Sequence, residues 1–191
     1  MANTRKKTNI ITHNYGGKLD DQFVIRKKGS KSILASMPKT FELKGEYQPR
    51  REQTKRNFRL AVIYAKKAIQ NPELKEQYEA VRRGNQSAFN VAFQDKFYAP
   101  ELSALRTESY TGQAGQQMLV EATDNFRVTK VVFTLFAPDG SVLEEGDAVM
   151  DDNGFDWIYT TKVANPSPAG TIVRVTAEDI PKSKTILEGV I

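Results

Sequence analysis

At Met118 the hydrophobic rhythm of this chain changes. From there to Ile191, apolar residues alternate with polar ones or form short runs: "MLVEAT", "KVVFTLFA", "SVLEEGDAV", "DWIYTTKV", "TIVRVTAE" and "KTILEGVI". Val, Ile, Thr, Phe, Tyr and Trp dominate these segments, and residues two apart share one face of a strand. Turn-forming clusters separate them: "PDG" at 138–140, "DDNG" at 151–154 and "NPSPAG" at 165–170. "LFAPDGSVLEE" reads as a hairpin. Six strands with tight turns and no helical period predict a small antiparallel sandwich.

Upstream the period is helical. Phe58, Val62, Ala65 and Ile69 fall on one stripe of a helix that begins near Pro49. It stops at "QNPE", where Asn71 caps a second helix and Pro72 suits that helix's first turn. Leu74, Tyr78 and Val81 line the second helix, which ends in "RRG". "NQSAFNVAFQDKF" reads as a third helix, capped by Asn85, with Phe89, Phe93 and Phe97 inward and Pro100 closing it. Before the helices, "FVIRKKGSKSILASMP" reads as a hairpin with arms at 23–25 and 33–35. Gly29 and Ser30 supply its turn, and Pro38 ends its second arm. Its tip carries Arg26, Lys27, Lys28 and Lys31.

Charge divides the chain at the same place as the period. Residues 1–112 hold 22 Lys/Arg against 11 Asp/Glu, and residues 113–191 hold 6 against 12. The expectation is an α+β N-terminal module over 1–112, a β-hairpin plus two or three helices. An all-β immunoglobulin-like sandwich is expected over 113–191, with "TESYTGQAGQQ" as the seam.

Several functions are disfavoured by what the chain lacks. It has no cysteine and one histidine, His13. Disulfides, thiolate catalysis and sulfur-ligated metals are excluded, and the usual general base is confined to a terminal segment. No window approaches the ~18 apolar residues of a membrane span. The basic N-terminus lacks the apolar core of a signal peptide. No membrane association is expected, and the expected location is the cytoplasm or a particle assembled in it.

Each candidate site has a plainer alternative. "GGK" at 16–18 and "GSKS" at 29–32 lack the glycine spacing of a phosphate loop. "DDNGFD" has oxygen ligands but no twelve-residue loop ending in Glu, and Asp-Asn-Gly is what a tight turn demands. Glu144, Glu145 and Asp147 read as a strand's solvent face, because paired acids catalyse only across a cleft. No catalytic residue, cofactor or metal is expected. The contact candidates are the cations: Arg26, Lys27, Lys28 and Lys31 on the hairpin, and Arg51, Lys55, Arg59 and Lys66 on one strip of the first helix. They suit either a phosphate backbone or an acidic protein surface. Trp157 and Tyr159 lie on one side of a strand, as core residues or as ligand-facing aromatics of a carbohydrate-binding module.

The second half resembles the immunoglobulin-like modules of bacterial surface and phage proteins. The likeness is carried by "VEATDNFRVTKVVFTLFAPDGSVLEEGDAV", "DNGFDWIYTTKV" and "GTIVRVTAED". The first half resembles the N-terminal module of an uncharacterised bacterial and phage-linked family. There the matching stretches are "GGKLDDQFVIRKKGSKSILASMPK" and "REQTKRNFRLAVIYAKKAIQNPELKEQYEAV". These resemblances imply architecture and a phage-like assembly as the setting. The expected role is a non-enzymatic structural or interaction protein that meets copies of itself or other subunits through complementary charge. The alternative is a nucleic-acid-binding protein using its basic half.

Overall fold

The computed structural model of the protein describes residues 17–19, 22–28, 31–37 and 47–191. The chain forms two compact units, Met1–Arg51 and Glu52–Ile191. The charge seam at 112/113 lies inside the second.

In the first unit three antiparallel strands lie in the order β1 (Gly17–Leu19), β2 (Phe23–Lys28) and β3 (Lys31–Ser36). β2 and β3 are longer than the apolar arms alone predict, and their register pairs Lys28 with Lys31. Arg26, Lys27, Lys28 and Lys31 are therefore strand residues, not loop residues. Among the described residues of this sheet Ile25 is buried, and Arg26 beside it is exposed. His13, the Gly29–Ser30 turn, Pro38 and the side chains of Lys27, Lys28 and Lys31 lie outside the described residues.

The helix α1 (Tyr47–Ala68) runs from the first unit into the second, followed by α2 (Pro72–Ala80) and α3 (Ala88–Phe97). The Asn71 side chain accepts from the Leu74 amide at 3.1 Å, with Pro72 opening α2, as the sequence predicts. α3 is capped by Ser87 instead of Asn85. Ser87 Oγ accepts from the Asn90 amide, and Asn90 Oδ1 accepts from the Ser87 amide, a reciprocal capping box.

The buried faces of α1 and α3 are also rotated from the expected ones. Ala61, Ala65 and Ala68 are buried on α1, and Ala88, Val91, Ala92 and Asp95 on α3. Small side chains let elements approach closely, which leaves the larger rings at the margins. Phe58 is 53% exposed and meets Phe93 edge-on at 5.0 Å, while Phe89, Phe93 and Phe97 are half-buried. Val81, expected on the inner line of α2, is exposed just past its end.

Eight strands follow: β4 (Glu101–Arg106), β5 (Gln117–Thr123), β6 (Val128–Phe136), β7 (Val142–Asp147), β8 (Val149–Met150), β9 (Asp156–Thr160), β10 (Ile172–Asp179) and β11 (Lys184–Val190). They form two antiparallel four-stranded sheets, ordered β4-β5-β9-β8 and β11-β10-β6-β7. β10 shows why: every second residue, Val173, Val175 and Ala177, is fully buried. Met118, Val120, Phe133, Leu135, Trp157 and Tyr159 join them in one core shared by both sheets.

β4 was not expected. "ELSALR" has no β-branched residue, and its pairing with β5 slips between Ser103 and Arg106, where Ala104 adopts φ 48°. The helices and the double sheet share a further core, in which Phe126 of the β5–β6 link packs with Tyr78 and the α1 and α3 alanines. The basic helices and the acidic strands of residues 52–191 thus form one body.

Candidate functional site

α1 carries the cations expected of a contact surface. Arg51, Lys55, Arg59 and Lys66 are all exposed. Lys55 pairs with Glu52 at 2.7 Å, an exposed pair of little energetic weight. The side chains of Arg56, Arg59, Lys66 and Lys67 have no hydrogen bond or ion pair among the described residues.

The double sheet treats its cations differently. Arg106 pairs with Glu121 and Asp156, Lys130 with Asp147, Arg174 with Glu188, and Lys182 and Lys184 with Glu178. Positive charge in residues 52–191 is mostly neutralised on the sheets and left open on the helix.

Sequence reasoning missed part of this surface. Arg56, Leu60, Ile63 and Lys67 recur at i, i+4, i+7 and i+11, a stripe turned away from the buried alanines. Leu60 is 46% and Ile63 64% exposed. Two apolar side chains therefore sit between two unpaired cations, with Lys55, Arg59 and Lys66 on the adjoining strip. The signal was legible, but the two apolar residues fell outside the single stripe chosen as the core face. Arg26 belongs to the ribbon of the first unit.

Trp157 and Tyr159 are core residues. Tyr159 stacks on Phe133 at 5.2 Å and donates to Glu144 Oε2 at 2.9 Å; burial and that bond raise its hydroxyl above the ordinary range. Trp157 is 7% exposed, at the wall of a depression of about 330 Å³ with Phe126, Arg127 and Met150. Neither presents a free ring face, so stacking on a sugar loses its platform.

The remaining acidic candidates serve the fold. Glu144 is buried and also accepts from the Lys162 and Val163 amides. Glu145 accepts from Thr134, and Asp147 pairs with Lys130. In "DDNGFD", Asn153 Oδ1 accepts from the Phe155 and Asp156 amides, and Gly154 takes φ 81°, which is turn chemistry. No group of three or more His, Cys, Asp or Glu among the described residues is arranged to hold a metal ion.

A polar cluster lies beneath the helices. Tyr78 donates to Asp95 Oδ2, and the Tyr64 and Tyr78 hydroxyls are 2.8 Å apart. Asp95 is fully buried. Burial pushes its carboxyl up to about 7; the Tyr78 bond opposes this, and the negative charges of Asp124 and Asp179 add to it. Burial also raises Asp179, which accepts from the Ser183 amide at 2.6 Å. No helix among the described residues is long and apolar enough to cross a membrane.

No family model and no curated protein matches this chain. Among solved structures, the crystal structure of an engineered protein aligns with a TM-score of 0.35 at 14% identity, over 54% of this chain and 25% of that one. The chain thus spans about a quarter of the length of that structure, and a likeness of this size carries no argument.

Proposed function

We propose that the protein is a non-enzymatic interaction module, in which an immunoglobulin-like sandwich carries a basic helix that docks onto an acidic protein surface in a larger assembly. The immunoglobulin-like reading is supported by strand order. Taking β4 to β11 in chain order as A, B, C, C′, D, E, F and G, one sheet runs A-B-E-D and the other G-F-C-C′. The docking role rests on one observation, the α1 stripe in which Leu60 and Ile63 lie between unpaired Arg56 and Lys67. Apolar residues at the centre with charge at the rim describe a protein interface. A phosphate backbone would need the cations and leave the apolar pair in water. The occupant proposed is the acidic double sheet of another copy. Head-to-tail contacts of that kind make rings or filaments.

The test is association at low salt, compared between the parent chain and a Leu60→Ser/Ile63→Ser variant of unchanged net charge. Weaker self-association in the variant supports the reading. Unchanged self-association removes the stripe from it. A mobility shift on duplex DNA at about 50 mM salt that falls steeply as salt rises would instead support the nucleic-acid alternative.

A further inference from the structure

The outer face of the β11-β10-β6-β7 sheet follows row by row from its register. Val173, Val175 and Ala177 of β10 and Val131, Phe133 and Leu135 of β6 are buried in the core, so the residues between them face outward. One outward row crosses the whole sheet. Ile172 pairs with Val190 of β11 and with Phe136 of β6, and Phe136 pairs with Val142 of β7. Every member of this row is apolar, and its ends are open: Val190 is 71% and Val142 59% exposed. The next outward row is Glu188, Arg174, Thr134 and Glu145, with a carboxylate on each edge strand. Glu188 Oε1 takes Arg174, whose guanidinium lies over the Phe136 ring, and Glu145 Oε2 takes the Thr134 hydroxyl. The second oxygen of each carboxylate has no hydrogen bond or ion pair among the described residues.

The α1 stripe carries complementary groups in the same order and at nearly the same spacing. Neighbouring strands lie about 4.8 Å apart, so a row spans about 14 Å from β11 to β7. A helix rises about 1.5 Å per residue, which sets Arg56 and Lys67 about 16 Å apart, with Leu60 and Ile63 about 4.5 Å apart between them. Laid across the strands, such a helix brings Leu60 and Ile63 over Ile172 and Phe136 of the two central strands. Arg56 and Lys67 then reach the edge strands, where Glu188 and Glu145 stand. The opposite sheet lacks this pattern. Its outward apolar row, Leu119, Ile158 and Val149, ends at Arg106 on β4, and Arg106 already takes Glu121 and Asp156. A cation at the end of the row repels the stripe.

We propose that the outer face of the β11-β10-β6-β7 sheet, and not that of the opposite sheet, is the surface of a second copy that receives the α1 stripe. Leu60 and Ile63 lie against the Ile172–Phe136 part of the apolar row, and Arg56 and Lys67 pair with Glu188 and Glu145 at its two edges. This inference rests on α1 being the docking element and names what it docks onto. The apolar centre excludes water, and a charge pair at each end fixes the position of the helix across the strands. Stripe and receiving face belong to different elements of one chain, so each copy offers both and the contact propagates from copy to copy.

The test is a charge exchange followed by light scattering of the full chain at about 50 mM salt. Arg56→Glu/Lys67→Glu reverses the helix ends, and Glu145→Lys/Glu188→Lys reverses the sheet ends. Each variant alone should stay monomeric, because like charges meet. An equal mixture of the two should associate again, because the helix of each then faces an opposite sheet on the other. Val142→Thr/Val190→Thr keeps strand-forming residues and every charge, and should need about tenfold more protein to reach the mass of the parent. That variant carries the decision alone if the sheet reversal fails to fold. Val149→Thr, on the other sheet, should match the parent. A parent that associates through Leu60 and Ile63, with a monomeric mixture and a parent-like Val142→Thr/Val190→Thr, would overturn the receiving face and leave the docking role of α1 standing. Association lost in Val149→Thr would move the contact to the opposite sheet and also overturn the proposal. A parent indifferent to Leu60→Ser/Ile63→Ser removes the docking role and the receiving face together.

Discussion

The Tyr159 hydroxyl donates to Glu144 Oε2 at 2.9 Å, joining β9 of one sheet to β7 of the other. The same oxygen receives the Lys162 and Val163 amides, so one carboxylate ties the sheet interface to the segment leaving β9. Glu144→Leu would strand one buried donor, the Tyr159 hydroxyl, and two part-buried amides. The expected loss is about 2–4 kcal/mol, read from the urea midpoint. Tyr159→Phe removes one donor and keeps the stacked ring, and should cost about 1 kcal/mol. Equal costs for the two would refute a shared anchor.

Acid and base should move stability in the direction set by Asp95. Its folded carboxyl titrates at about 7 against an ordinary 3.8, so the folded state holds the extra proton between those values. That contribution is fully present below about pH 4 and is lost as pH rises through about 7. At about 1.4 kcal/mol per unit, the largest possible change is about 4 kcal/mol. Asp179, raised in the same direction, adds to the slope. Urea melts at several pH values should show stability falling from mildly acid to neutral conditions, and Asp95→Asn should flatten the curve. A parent chain whose stability rises steadily with pH over this range contradicts the assignment.

The α3 cap separates two readings of one sequence. Ser87→Ala breaks the reciprocal bonds with Asn90 and should cost about 1 kcal/mol. Asn85→Ala should leave stability within about 0.5 kcal/mol. The reverse ranking of thermal midpoints would place the helix start two residues earlier.

Gly112 is fixed by both conformation and space. It holds φ 89°, and an added Cβ would lie 2.1 Å from the Asn165 carbonyl oxygen. Its own carbonyl accepts from the Asn165 amide at 2.8 Å, so the loops cannot part without losing that bond. Gly112→Ala should cost more than about 3 kcal/mol by thermal unfolding. A change under about 1 kcal/mol would show that the 107–117 loop is free to rearrange.

Much of this architecture was legible, in proportion to how local its causes are. Alternation in "TIVRVTAE" and the "PDG" turn exposed β10 and the β6–β7 hairpin, because strand and turn chemistry act within a few residues. Asn71 with Pro72 announced α2 for the same reason. β4 was hidden because "ELSALR" is held by its partner β5 and carries little strand preference of its own. On α1 and α3 the phenylalanines drew attention by size, while close packing selected the alanines. The Asp95 cluster was out of reach: its members, Tyr64, Tyr78, Asp124 and Asp179, come from separate segments, and only tertiary packing makes Asp95 a buried acid. The α1 cations were legible as one strip of a helix, but Leu60 and Ile63 on the stripe beside them carried no weight until the buried alanine face was known.

The central claim, that the basic stripe of α1 meets the acidic double sheet of another copy, is tested most directly by light scattering. The chain should be measured across a concentration series at about 50 mM and about 500 mM salt. The expected result is a mass that grows with concentration at low salt and returns to the monomer at high salt, with growth abolished in an Arg56→Glu/Lys67→Glu variant. A parent chain that stays monomeric at low salt and high concentration contradicts it.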